Sequence, residues 1–247
     1  MYKHSILEEG IIAIEDPGGV RIFVINGQER SVIIDAGYGE HDIAAYASEL
    51  CTGPYEVICT HGHHDHVGGM KFFDYAWMDE RDIAWQDKYK DKYKPFDKKH
   101  FDLGGLTLRL CTFIGHTEGM TCILIEERRA MILGDACNTQ TWLWMEQCTS
   151  IEEYRDELVA FKAEYGSLFD KIYLSHGEPK AYPKELMDSV LKVAEDILAG
   201  TNDKVLFNHA GYGTGKEYYA YPVDKVGARA DGELGNIVYN AENVNKA

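Results

Sequence analysis

Apolar runs rich in β-branched residues recur along the first third of the chain, separated by turn-forming residues. Ile11-Ile12-Ala13-Ile14, Val20-Arg21-Ile22-Phe23-Val24-Ile25 and Ser31-Val32-Ile33-Ile34-Asp35 predict three strands. Asp16-Pro17-Gly18-Gly19 and Asn26-Gly27 part them, and the second of these is a hairpin signal. A helix is predicted over residues 42–50, then a strand over 56–60 that runs directly into His61. The second half repeats the alternation, with strands predicted at 106–112, 121–126, 130–133 and 171–175. Helices are predicted at 151–165 and 183–198. Ser150 stands before the first of these with Glu153 three residues on, the capping-box spacing. Strands followed by helices, twice over, predict an α/β chain: two sheets packed together with helices outside. Residues 205–244 carry strand-like pieces at 217–221 and 236–239, separated by glycines. We take 1–247 as a single domain, with 205–247 a strand-like tail packed on it.

Polar residues concentrate where the strands end. His61-Gly62-His63-His64-Asp65-His66 follows the 56–60 strand and precedes Val67-Gly68-Gly69. Imidazole and carboxylate together suit zinc, iron or manganese. Side chains two apart on an extended segment point the same way, so His61 and His63 can share one ion, and Asp65 and His66 turn toward a second. Three more candidates, His116, Asp135 and His176, each follow an apolar run and abut a glycine. His64 alternates away from His63 and is expected to face solvent or a helix. His4, His41, His100 and His209 lack ligand spacing, and Cys137 is expected in the core.

These segments resemble the metallo-β-lactamase superfamily over residues 20–180. Residues 31–37 are similar to its first motif, Thr60–Gly69 to its second, and His116, Asp135 and His176 to its third, fourth and fifth. The resemblance implies an αββα sandwich of two mixed β-sheets with outer helices and a glyoxalase II- or lactonase-like ligand set. It implies one ion held by His61, His63 and His116, and another by Asp65, His66 and His176. Asp135 would bridge them, and Asp35 would stiffen the site through hydrogen bonds. Zinc is the leading choice for both divalent ions, with iron and manganese as alternatives. Two ions about 3.5–4 Å apart lower the pKa of a shared water, giving a bridging hydroxide. Asp65 is the catalytic residue expected to take its proton. The expected function is therefore binuclear hydrolysis of a small ester, thioester or lactone.

Three alternatives remain: a phosphodiesterase of the same fold, an iron-dependent redox enzyme (persulfide dioxygenase or flavodiiron-like), and a non-catalytic metal-binding or sensing protein. The flavodiiron pattern has glutamate where His63 stands. Gly177-Glu178-Pro179-Lys180 and the strand-like tail depart from glyoxalase II itself, and Asp135 stands where secreted β-lactamases commonly place a cysteine ligand.

Composition narrows the partners. The formal charge of −16, from 25 Lys and Arg against 41 Asp and Glu, opposes binding of nucleic acid. No apolar run reaches the roughly 18 residues of a membrane span, and Glu8-Glu9 interrupts any leader-like segment, so a cytoplasmic, membrane-free protein with a small-molecule substrate is expected. The six cysteines show no CxxC pair. Gln140–Met145 brings Trp142 and Trp144 close behind Asp135 as candidate pocket walls. The Lys-rich stretch 85–101 fits a solvated lid or the contact of a homodimer, or a cap that attracts an anionic substrate.

Overall fold

A computed structural model describes residues 1–208 and 214–246; His209 lies outside them. One mixed sheet runs in chain order through β1 (Lys3–Glu8), β2 (Ile11–Glu15), β3 (Arg21–Asn26), β4 (Ser31–Ile34), β5 (Tyr55–Ile58), β6 (Ala76–Met78) and β7 (Tyr93–Pro95). Its first four strands are antiparallel, and β4 to β7 are parallel. The second mixed sheet has the order β14-β13-β11-β10-β9-β8. Its strands are β8 (His100–Asp102), β9 (Thr107–Thr112), β10 (Thr121–Ile125), β11 (Ala130–Ile132), β13 (Lys171–Tyr173) and β14 (Tyr182–Pro183). Among the described residues, five α-helices, α1 (Ile43–Ser48), α2 (His64–Val67), α3 (Glu80–Ala84), α4 (Ile151–Tyr165) and α5 (Leu186–Ala199), fill connections between strands.

Alternation along each central strand builds three apolar layers. Phe23, Ile25, Val32 and Ile34 meet Ile123, Ile125 and Ile132 between the sheets. Ile22, Val24 and Ile33 point the other way, onto Ile43, Ala47 and Met70. Cys122, Leu124 and Met131 face Leu158, Phe161, Val190 and Val193 of α4 and α5. Strands buried on both faces read as continuous hydrophobic runs, which is why the sequence marks them so clearly. The arrangement is the αββα sandwich.

Local signals behave as their chemistry requires. Asn26 pairs with Ser31 across the β3–β4 hairpin. Ser150 caps α4 in a reciprocal capping box with Glu153. By contrast α5 begins at Leu186 rather than 183, because Tyr182 and Pro183 are drawn into β14 against Ile172 and Lys171.

A third sheet, of order β12-β17-β16-β15, extends the expected pair. Its strands are β12 (Gln140–Leu143), β15 (Val205–Leu206), β16 (Glu217–Tyr219) and β17 (Asn236–Asn240). Here β17 lies parallel to β12 in the register Trp142↔Val238. Leu143, Ile237 and Tyr239 press this sheet against the α4–α5 layer. Among the described residues, no helix is long and apolar enough to cross a membrane.

Candidate metal centre

Strand ends β4, β5, β9, β11 and β13 converge on one edge of the sandwich, the usual place for a site in sheets of this kind. The segments that follow them carry the seven candidate ligands in two groups. His61, His63 and His116 form one; Asp65, His66, Asp135 and His176 form the other. In each, the ligand atoms lie within 4.8 Å of one another.

The second nitrogen of several rings is already committed, which fixes where the first one points. Asp35, fully buried and held at φ +68, accepts from the Thr60 N–H at 2.7 Å and pairs with His66 Nδ1 at 2.8 Å. The Thr60 hydroxyl lies 3.0 Å from Asp35 and 3.0 Å from His61 Nδ1. His116 Nδ1 donates to the Trp142 carbonyl at 2.7 Å. Such contacts orient an imidazole and raise its basicity. Nε2 of His61 and His66 is left buried without a hydrogen-bond partner, as is His63 Nε2. Buried polar atoms are rarely orphaned unless something is meant to meet them. His63 instead presents Nδ1, 2.8 Å from His116 Nε2.

Asp135 stands between the groups. Its Oδ2 lies 3.6 Å from Nε2 of His116, 3.6 Å from that of His66 and 3.3 Å from that of His176. Asp65 Oδ2 is 3.5 Å from His66 Nε2 and 3.4 Å from His176 Nε2. Donors about 2.0–2.2 Å from one tetrahedral ion stand about 3.3–3.6 Å apart, so Asp65, His66, Asp135 and His176 fit a metal of the zinc, iron or manganese type, and the three clustered imidazoles offer a donor set that such a metal accepts.

The two groups differ in charge. Burial holds His61 well below the usual imidazole range, and neighbouring histidines add to it. Burial and His116 push His63 down to about 3, and burial also lowers His116. Burial opposes charge on His66 and His176 too, but the adjacent carboxylates prevail. His66 is driven well above its usual value and His176 up to about 9. Burial would raise Asp65 and Asp135, yet their histidine partners hold both well below the carboxylate range. Burial thus favours neutral imidazoles in the first group, while the carboxylates favour protonated ones in the second, whose protons a cation would displace. Metal affinity of the second group should therefore rise by up to about tenfold per displaced proton per pH unit between pH 7 and 9, and that of the first should be nearly flat. Competition titrations at several pH values check this; equal slopes for both groups would contradict it.

Other sequence expectations find their places. His64 is exposed, its ring 6.0 Å from that of Tyr38, and Cys137 is buried in the core. The rings of Trp142 and Trp144 meet each other and Phe207 beside His116, and Trp85 packs 5.7 Å from His63. In the Lys-rich stretch, the Lys92 amine bonds the Met70, Lys71 and Phe73 carbonyls, and Lys94 and Lys98 cover aromatic rings.

Four supporting residues escape sequence reasoning. Asn138 donates to Asp135 Oδ1 at 3.2 Å, turning Oδ2 inward. Buried Arg21 grips the segment bearing His176 through the Leu174 and Gly177 carbonyls. Asp82 and Gln86 hold the loop that bears His61 and His63. Nothing in spacing or residue type singles these four out.

The sequence profile of the metallo-beta-lactamase superfamily matches residues 16–176. An atrochrysone carboxyl ACP thioesterase of Passalora fulva is 28% identical over 167 residues, 64% of this chain and 48% of that protein. A beta-lactamase-like protein 2 homolog of Caenorhabditis elegans is 24% identical over 173 residues, 64% of this chain and 56% of that protein. The chain thus spans about half the length of these relatives. A metallo-beta-lactamase from Pontibacter korlensis superposes with a TM-score of 0.68 at 15% identity, covering 79% of this chain and 100% of the other. A superfamily protein from Sulfolobus tokodaii gives 0.55 at 17% identity, covering 81% and 88%. These likenesses show the fold.

Proposed function

Because this chain belongs to the metallo-β-lactamase superfamily, we propose that its two ligand groups hold two divalent ions, zinc foremost, and that it hydrolyses a small ester, thioester or lactone. The observation that carries this reading is the placement of Asp135 Oδ2 within 3.6 Å of ligand nitrogens from both groups, where one oxygen can serve two ions. Bound there, the ions would polarise the carbonyl under attack and lower the pKa of a water between them. Asp65, held low by His66 and His176, is a carboxylate at neutral pH and would be placed to accept a proton from a water activated at the site. Buried thiols do not compete as nucleophiles, since burial pushes Cys137 and Cys148 up to about 12. Trp85, Trp142 and Trp144 supply apolar surface beside the reacting carbonyl.

Thioesters head the substrate list, supported by the thioesterase names of several curated relatives. With zinc-loaded protein, small acyl substrates should exceed bis(p-nitrophenyl) phosphate at least about tenfold in kcat/KM, or about 1.4 kcal/mol of transition-state discrimination. Equal or better phosphodiester turnover would move the assignment to a phosphodiesterase.

A further inference from the structure

We propose that Asp82 is a positioning residue for the three-histidine group, and that α3 with the turn after it sets the spacing of His61, His63 and His116. The inference rests on reading that group as a metal site. Asp82 is fully buried, and none of the described Lys, Arg or His side chains forms an ion pair with it. Its Oδ2 accepts from the Gly62 N–H at 2.8 Å and from the Thr117 hydroxyl at 2.9 Å. Its Oδ1 accepts from the Gly119 N–H at 2.8 Å. Gly62 separates His61 from His63, and Thr117 follows His116 directly. One carboxylate therefore ties together the two loops that supply all three imidazoles.

Gln86 completes the grip. Its side-chain amide donates to the Gly62 carbonyl at 2.6 Å, so both backbone polar groups of the residue between two ligands are held by one short segment. The approach is close: a Cβ on Gly62 would lie 2.2 Å from Gln86 Nε2 and 2.8 Å from the Trp85 ring, so a larger residue there would push the Gln86 amide aside. A buried carboxylate is costly to desolvate and is retained where several donors must be satisfied at once. Here those donors come from separate loops, 20 to 37 residues away in sequence.

Asp82→Asn tests the idea because its amide cannot accept from all three donors. With the NH2 at the Oδ2 position it faces the Gly62 N–H, and at the Oδ1 position it faces the Gly119 N–H. One backbone N–H loses its acceptor either way, which weakens the tie between the loops. In an Asp65→Ala background, where the second group lacks a ligand, the zinc Kd of the three-histidine group should rise about 10–100-fold by chelator competition. Asp79→Ala in the same background is the structural control. Asp79 caps α3 and pairs with Arg81 but touches neither loop, so its loss should lower Tm and leave the Kd within about twofold. Should Asp82→Asn fail to fold, Thr117→Val removes only the hydroxyl contact and should raise the Kd several-fold. An unchanged Kd in the Asp82 or Thr117 variant, or equal weakening by Asp79→Ala, overturns the assignment. Failure of the parent protein to bind zinc overturns the metal reading itself.

Discussion

If the proposed two-ion reading holds, Asp135→Ala protein should purify with at most one metal ion per chain against two for the parent, and its kcat/KM should fall at least about 10³-fold. That loss corresponds to about 4 kcal/mol of transition-state stabilisation. The size follows from position. Oδ2 of Asp135 is the atom that approaches nitrogens of both groups, and Asn138 fixes the other oxygen so that the carboxylate cannot turn away. Alanine leaves His66 and His176 facing Asp65 alone across the second group. Metal analysis of the purified variant beside its kinetics decides the matter. Two ions retained at full activity would remove Asp135 from the centre.

Stripping the metal with a chelator should abolish turnover and lower Tm, and zinc should restore both. Nε2 of His61 is buried without a hydrogen-bond partner, so the folded chain bears an unmet desolvation cost that a cation would relieve. A ligand present at about 1,000 times its Kd adds about 4 kcal/mol to the stability of a fold. For a chain of this size that corresponds to a Tm shift of roughly 8–16 °C. Equal Tm with and without zinc, or full turnover in stripped protein, would contradict the reading.

How far the sequence alone reaches depends on how each element earns its burial. β3, β4, β10 and β11 are legible because both faces are covered and the apolar run is unbroken. α4 is legible to the residue because Ser150 and Glu153 sit at capping distance. β1 is missed because Lys3–Glu8 is an edge strand with no fully buried residue. β6, β7 and β8 are three residues long, too short for any period to show. β12 is hidden because Trp142 in it reads as a pocket wall, and its pairing with β17 is parallel and remote in sequence. The seven candidate ligands are brought together because strand ends and adjacent glycines mark them. Their supports stay hidden: Asp82, Asn138 and Arg21 are ordinary polar residues until the fold delivers their partners.

The pairing of β12 with β17 also bears on when the centre is assembled during synthesis. The His116 ring is oriented by the carbonyl of Trp142, and Trp142 is held in its strand by Val238 and its neighbours. All seven candidate ligands leave the ribosome before residue 236 does. A nascent chain halted short of β17 therefore displays every imidazole and carboxylate with one of them unaimed. Under the proposed metal reading, the aiming of His116 in the three-histidine group would wait on a strand that contributes no ligand.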